Sequence, residues 1–359
     1  MKKSINILSL FLFLFLGLMG CQSENDIQKT ATTEKMYFPP TLSSDWETLS
    51  MSNLNWNTLY LESLKTYLKD SNTKSFMILV NGRIVIEEYF NGHSVNQIWQ
   101  WNSAGKTLTS ALTGIAQQEN LLNINDKVSQ YLGTAWTSAP LDKEHLITCK
   151  NLLTMTSGIN DTQGDKTTPS DLIYKADAGT RWAYHNIFQK QMDVIAHVSN
   201  TSFDNYFNLK LKNRIGMDGT WYHGAIYRIY YSSTRSMARF GLLALNKGKW
   251  HDESIIQESF FNECITSSQN INKSYGYFWW INGKASFMLP NSQNVFTGSL
   301  IPNAPSDMYM AMGASDQRIY VIPSKKMVII RMGESSTLNN PGLSDFDTQL
   351  WHKINALIN

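Results

Sequence analysis

The strand-forming segments of this 359-residue chain lie towards its two ends, with a mainly helical stretch between them. Apolar residues at helical spacing dominate about 103–245, and further helices are predicted at 56–70 and from Ser344 onward. Strands are predicted at 76–80, 83–90, 275–281, 308–312, 318–322 and 327–332. The first two strands flank Asn81-Gly82, which is typical of a tight hairpin turn. We therefore predict an α+β fold: an antiparallel sheet built from N- and C-terminal segments, flanked by helices, with an all-helical lobe inserted at roughly 107–250.

The N-terminus has the organisation of an export signal. Lys2 and Lys3 precede an apolar stretch at 5–16 that is too short for a comfortable membrane span. Leu18-Met19-Gly20-Cys21 follows and resembles the bacterial lipobox, although an ordinary signal peptide with a chance cysteine would give the same letters. We expect a signal peptide at 1–20, a lipidated Cys21 with a polar tether through residue 54, and a catalytic domain at 55–358. This organisation predicts an exported bacterial lipoprotein, held by its lipid at the periplasmic face of a membrane or at the cell surface.

The charge of the chain argues against nucleic acid as a partner. Without the two leader lysines, 29 basic and 29 acidic residues remain, and a phosphate-binding surface needs a concentrated basic face. The histidines show no metal-ligand spacing, so we predict no metal. Cys149 and Cys264 are the other cysteines, and two free buried thiols are favoured over a disulfide.

Ser103 and Lys106 form the strongest candidate catalytic pair. Ser103 opens a predicted helix directly after a strand-rich segment, and a residue three positions further on lies on the same helix face. A lysine that is partly desolvated there has a lowered pKa and can take the serine proton. The pattern S-x-x-K is weak alone, since Ser71-Asn72-Thr73-Lys74 also matches and is interpreted as a solvated turn.

Tyr184-His185-Asn186 is the second candidate element. A phenol that shares a proton with Lys106 can act as a general base, and the amide of Asn186 can hold a substrate carbonyl. Two other Y-x-N matches, at 89–91 and 206–208, are interpreted as structural. His185 is either a surface residue at a helix end or a residue of the cleft. Rings of the aromatic run at 275–280, together with Trp101 and Trp182, are candidates for lining the cleft.

With these motifs in order, the chain resembles the serine β-lactamase and penicillin-binding-protein superfamily, in its class C-like branch of esterases, peptidases and amide hydrolases. The segments at 151–158, 178–186, 233–241 and 317–323 resemble conserved segments of that branch, although Met155 replaces a histidine. The resemblance covers roughly residues 55–358. It implies that Ser103 and Lys106 form the nucleophile motif, and that Tyr184 and Asn186 form the second motif.

The third motif departs from the family pattern. The family places Lys-Thr-Gly or His-x-Gly on the strand that lines the cleft, whereas this chain has Ala311-Met312-Gly313 followed by Ala314. Gly313 keeps the close backbone approach, and the N–H of Ala314 is the candidate oxyanion donor beside the N–H of Ser103. The cation that meets a β-lactam carboxylate is missing, unless Arg318 supplies it from elsewhere. A charge-assisted contact of about 1.5–3 kcal/mol is therefore absent.

These observations favour a serine hydrolase that cleaves an ester or amide bond through a Ser103 acyl-enzyme without a cofactor. The aminohexanoate-dimer hydrolase type, with its shortened third motif, is the nearest resemblance, and a small molecule or short peptide is the expected substrate. Two alternatives remain open: a D-amino-acid or peptidoglycan peptidase, or weak β-lactamase, and a catalytically inactive lipoprotein that uses the cleft for binding. The sequence leaves the oligomeric state undetermined.

Overall fold

A computed structural model describes residues 35–336 and 345–359. The predicted signal peptide, the lipidation site at Cys21, the predicted tether as far as residue 34 and Ser344 lie outside these residues. The α-helices of the described chain are α1 Leu61–Asp70, α2 Lys106–Gln118, α3 Val128–Leu132, α4 Leu141–Glu144, α5 Cys149–Leu153, α6 Gln189–Val198, α7 Phe203–Phe207, α8 Thr234–Leu245, α9 Glu258–Cys264 and α10 Phe346–Ile358. The strands are β1 Thr73–Val80, β2 Arg83–Tyr89, β3 Trp99–Gln100, β4 Thr220–His223, β5 Arg228–Ser232, β6 Lys249–Trp250, β7 Glu253–Ser254, β8 Trp280–Ile281, β9 Ser286–Phe287, β10 Phe296–Thr297, β11 Tyr309–Gly313, β12 Gln317–Ile322 and β13 Met327–Gly333.

A six-stranded antiparallel sheet with the order β2-β1-β13-β12-β11-β8 unites the two ends of the chain. β1 pairs with β13 from Thr73 opposite Gly333 to Val80 opposite Met327. Helix α8 packs on β1, β12 and β13, while α1 and α10 pack against each other beside β1. The sheet is therefore covered by helices, and four successive residues of β1, at 76–79, are fully buried. The predicted fold class is confirmed.

The predicted hairpin is confirmed, and its turn has a second role. Asn81 and Gly82 both adopt positive φ, at 50° and 84°, as the turn between β1 and β2 requires. A Cβ on Gly82 would lie 1.9 Å from the carbonyl oxygen of Tyr37, so only glycine lets the N-terminal segment cross here.

That N-terminal segment is part of the folded domain. The sequence predicts a tether through residue 54, whereas the described chain is already packed from Met36 onward. Phe38 is buried, and the buried guanidinium of Arg239 donates to the carbonyl oxygens of Pro39, Pro40 and Ser43. Polar composition suggested a linker, but the backbone carbonyls of this segment are the ligands of a buried arginine.

The predicted strand at 275–281 is wrong over most of its length. Only Trp280–Ile281 is a strand, because the chain turns back on itself and Tyr275 bridges to Trp280. Phe278 adopts a φ of 63°, and a Cβ on Gly276 would lie 1.9 Å from the carbonyl oxygen of Cys264. The aromatic run is buried as expected, but it is a folded loop against α9 and not a strand.

The inserted lobe is mostly helical, as predicted, but it meets a small sheet that the sequence did not indicate. β3, β5 and β4 form a three-stranded antiparallel sheet that ties Trp99–Gln100 to Arg228–Ser232. Cys149 and Cys264 are buried free thiols. No helix within residues 35–336 and 345–359 is long and apolar enough to cross a bilayer.

Candidate active site

Ser103 lies in a tight turn at the junction of the sheet and the helical lobe. A 3-10 helix at Asn102–Gly105 leads directly into α2, whose first residue is Lys106. Asn102 adopts a φ of 49° and its side-chain amide donates to the carbonyl oxygen of Ala314 at 2.8 Å. The turn therefore places Lys106 Nζ 2.6 Å from Ser103 Oγ. This is the contact that a nucleophile and its base require.

Lys106 is buried, and its surroundings favour the neutral amine. Desolvation lowers its pKa to about 7, and the negative charge of Asp165 opposes that shift. The Nζ atom of Lys106 lies 4.8 Å from the ring centre of Tyr184 and 4.3 Å from that of Phe188. Near neutral pH a large fraction of Lys106 is therefore deprotonated and able to accept the proton of Ser103.

Tyr184 borders the same serine from the opposite wall. Burial raises the pKa of its phenol to about 12, and its interaction with the Ser103 side chain opposes that rise. Its ring stacks on Trp280 at 5.9 Å, which fixes the hydroxyl. At neutral pH this residue is a neutral phenol, so it passes a proton between neighbours more readily than it acts as a free tyrosinate.

The two residues after Tyr184 line the larger part of the cleft, and their polar side-chain atoms are bonded to backbone groups. Of the two alternatives for His185, the buried side chain agrees with the position in the cleft; its Nδ1 accepts from the N–H of Ile187 and its Nε2 bonds the carbonyl oxygen of Gly164 at 3.1 Å. Asn186 donates its two amide hydrogens to the carbonyl oxygens of Asp165 and Ile226. The Asn186 amide is therefore already used, and it cannot donate to a substrate carbonyl without breaking a bond to the backbone.

The C-terminal end of β11 closes the cleft against Ser103. A Cβ on Gly313 would lie 2.4 Å from the carbonyl oxygen of Trp101 and 3.1 Å from the backbone nitrogen of Ser103, so a side chain is excluded. Ala314 follows in the turn, and its carbonyl is fixed by Asn102. The N–H groups of Ser103 and Ala314 thus belong to two segments in direct contact, which is what a shared oxyanion site needs.

Arg318 does not supply the missing cation of the third motif. It borders the cleft, but its guanidinium forms two bonds of 2.9 Å to Asp347 and one of 3.1 Å to Asp316. It also donates to the carbonyl oxygen of Gly313 at 3.0 Å. Arg331, fully buried in β13, donates to the carbonyl oxygens of Ser315 and Asp316. The two arginines clamp the turn that carries Ala314, so they support the site without facing substrate.

Two cavities meet at Ser103. One of about 190 Å³ is mainly apolar, and its walls include Trp280, Leu289, Leu300 and Met312. The other, of about 440 Å³, contains Lys106 and is more polar. Trp280 lines the cleft as expected of the aromatic run, whereas Trp101 and Trp182 are fully buried behind it.

Asp165 and Tyr227, which sequence reasoning missed, line the larger cavity. The Tyr227 hydroxyl donates to the Asp165 carboxylate, and this bond raises the pKa of the phenol to about 12. Neither residue belongs to a motif: one lies in a polar loop and the other beside a short strand. Within the described residues, no group of three or more histidine, cysteine or acidic side chains is placed to hold a metal.

Comparison with known proteins agrees with this architecture. A family model described as Beta-lactamase matches residues 70–347. A "putative 6-aminohexanoate-dimer hydrolase" from Bacillus anthracis superposes with a TM-score of 0.67 at 18% identity, covering 89% of this chain and 88% of its own. A "putative beta-lactamase" from Bacteroides dorei gives 0.67 at 14% identity over 85% and 99% of the two chains. A family VIII carboxylesterase gives 0.62 at 14% identity over 84% and 97%. At these identities the structures share the fold with this chain.

We expect Gly313→Ala to lower kcat/KM by about 100-fold, because the new methyl group pushes β11 away from the Ser103 turn and misplaces the oxyanion donors. Steady-state kinetics on an activated ester measures the loss. Gly105→Ala is the matched control, since its Cβ would meet no atom closer than 3.7 Å and it should lose far less activity. Equal losses in both variants would contradict the close-approach role of Gly313.

We expect Asp347→Ala to lower the free energy of unfolding by about 3–5 kcal/mol, because it leaves Arg318 buried without its main carboxylate partner. Urea denaturation followed by circular dichroism measures the change. The control is Glu253→Ala, which removes a partly exposed pair with Arg214 and should cost about 0–1 kcal/mol. A loss at Asp347 as small as that of the control would mean that the buried network does not stabilise the fold.

Proposed function

The chain belongs to the beta-lactamase family, and we propose that it is a serine hydrolase that cleaves an ester or amide bond through an acyl-enzyme on Ser103. The observation that carries this proposal is the 2.6 Å contact between Ser103 Oγ and the Nζ of a buried Lys106. Desolvation disfavours the ammonium form of this lysine, so its amine can act as the base. The hydrolases among the similar folds support the same reaction class.

The proposed reaction begins when Ser103 Oγ attacks the substrate carbonyl carbon and its proton passes to Lys106 Nζ. The carbonyl oxygen becomes an oxyanion, held by the N–H groups of Ser103 and Ala314. When the tetrahedral intermediate collapses, the C–O or C–N bond breaks. The leaving group takes the proton from Lys106 through the hydroxyl of Tyr184. Water then attacks the acyl-serine ester, returns a proton along the same route and releases the acid.

The charge of the cleft favours a neutral reaction centre over a carboxylate-bearing β-lactam. Ala311, two positions before Gly313, stands where the family has the cation of Lys-Thr-Gly or His-x-Gly, and the nearby guanidinium of Arg318 is held by Asp347 and Asp316. A substrate carboxylate would therefore lack a free cationic partner in this part of the cleft. For this reason we place β-lactamase and D-amino-acid peptidase activity second.

The lipoprotein organisation remains a proposal that the described residues do not address. The apolar stretch before Cys21 would direct export, and lipid on Cys21 would hold the hydrolase at a membrane surface.

We expect Ser103→Ala to abolish both labelling by a fluorophosphonate probe and turnover of 4-nitrophenyl butyrate, because the proposed acyl ester forms on Ser103 Oγ. Ser71→Ala is the matched control, since it removes the serine of the other S-x-x-K match and should retain labelling and turnover.

Retention of Ser103-independent labelling at wild-type level, or no turnover by the wild type on any activated ester, would contradict the enzyme proposal. Hydrolysis of nitrocefin more efficient than that of the ester would reverse the preference against β-lactams.

The pH dependence of kcat/KM should report the Lys106 amine. The reaction needs this amine neutral, and its pKa is lowered to about 7. Activity on the neutral ester should therefore rise with pH through about 7 and fall about tenfold per pH unit well below it. Stopped-flow or steady-state rates between pH 5 and 9 measure this limb. An acidic limb at pH 5 or below would mean that Lys106 is not the titrating base.

A further inference from the structure

The larger half of the cleft contains a carboxylate that acyl transfer does not use. Asp165 lines the cavity of about 440 Å³ that also contains Ser103 and Lys106. The hydroxyl of Tyr227, on the same cavity wall, donates to its Oδ2.

The backbone that presents Asp165 is held by two buried side chains. His185 bonds the carbonyl oxygen of Gly164 at 3.1 Å, and Asn186 donates to the carbonyl oxygen of Asp165 at 2.8 Å. Their relative exposures are 4% and 6%. Both follow Tyr184 directly in the chain, so the position of Asp165 is tied to the position of a residue at the reaction centre.

The loop that carries Tyr227, the partner of Asp165, is held by the same short segment at 185–189. Asn186 donates at 2.9 Å and Gln189 at 2.8 Å to the carbonyl oxygen of Ile226, which precedes Tyr227. The side-chain Oε1 of Gln189 accepts from the backbone N–H of Arg228 at 2.9 Å. Three side chains from 185–189 therefore hold both the loop of Asp165 and the loop of Tyr227, which is the construction of a preorganised binding site.

The other charges of the cavity leave Asp165 available. Arg228 borders the cavity, but its guanidinium pairs with Asp193 at 2.7 Å. Desolvation disfavours the charged form of Lys106 and lowers its pKa to about 7. Across residues 35–336 and 345–359, no lysine or arginine forms an ion pair with Asp165, whose carboxylate accepts a hydrogen bond from the phenol of Tyr227. A carboxylate so placed attracts a cation that enters the cavity.

We propose that Asp165 and Tyr227 form a subsite for a positively charged group, such as an ammonium, on the portion of the substrate that occupies the larger cavity. The apolar cavity of about 190 Å³ takes an uncharged alkyl or aryl portion. This inference rests on the proposed serine hydrolase function and defines the substrate class further: an ester or amide with a cation on one side of the scissile bond.

The test uses pairs of esters that differ only in charge, with a trimethylammonium group in one member and a tert-butyl group in the other. One pair carries the group on the alcohol (butyrylcholine and 3,3-dimethylbutyl butyrate), and another carries it on the acyl chain of a 4-nitrophenyl ester. In one of the two placements, we expect the wild type to have a kcat/KM at least about tenfold higher for the cationic member.

Asp165→Asn should reduce that cationic-to-neutral ratio by about tenfold, because the amide carries no charge. Asp171→Asn is the matched control: it makes the same change in charge six residues away, outside the lining of the cavity, and should keep the ratio. Asp165→Asn should also move the acidic limb of the pH profile to lower pH, since it removes a negative charge that raises the pKa of Lys106.

A second measurement on the wild type does not depend on any variant being active. Pentyltrimethylammonium should inhibit hydrolysis of the neutral ester competitively, at least about tenfold more strongly than the isosteric neutral alkane derivative, and salt should weaken this inhibition. The subsite proposal is overturned if the cationic and neutral compounds inhibit equally, or if the cationic-to-neutral ratio of kcat/KM is near one in both placements. It is also overturned if Asp165→Asn leaves that ratio unchanged, or if the enzyme prefers carboxylate-bearing esters. If the neutral esters are still cleaved in a Ser103-dependent manner, only the subsite fails and the hydrolase proposal stands.

Discussion

The site depends on one physical constraint: an amine must stay neutral beside a serine at the start of a helix. Lys106 is kept out of water at the first position of α2, with the rings of Tyr184 and Phe188 over it. Desolvation lowers the pKa of Lys106 and so favours the neutral amine, whereas the negative charge of Asp165 raises that pKa in part. The junction between the helical lobe and the sheet is thus the functional element, because opening it would hydrate Lys106 and return it to the ammonium form.

On the other side of the serine, rigidity comes from buried charge. In the proposed reaction, the turn after β11 places a backbone N–H against the reacting carbonyl, and a turn of small residues has few packing contacts of its own. Arg318 and Arg331 hold its carbonyl oxygens, while Asp347 and Asp316 compensate the charge of Arg318. A pair of cations that would be costly to bury alone is tolerated because each donor finds an oxygen. The guanidinium beside the cleft is therefore a support for the backbone and not a substrate ligand.

Local patterns predicted the elements whose structure is decided locally. The hairpin around Asn81-Gly82, the strands at 318–322 and 327–332 and the helix after Ser103 follow from turn chemistry and periodicity. The run at 275–281 did not, because Gly276 approaches the carbonyl oxygen of Cys264 and the chain folds back. The contacts of His185 and Asn186 are equally non-local: each bonds a backbone carbonyl 21 residues away, and no spacing in the sequence encodes that meeting.

Two separate features of the cleft change its charge in the same direction. The position two residues before Gly313 carries Ala311 where the family has a cation, and the larger cavity is lined by Asp165. Loss of the cation removes the partner of a substrate carboxylate, and the acidic residue repels that carboxylate as well. Because these residues lie on segments nearly 150 positions apart and are held by different networks, neither change follows from the other. Their agreement supports the proposal that the substrate is neutral or cationic, since both features disfavour a carboxylate in the cleft.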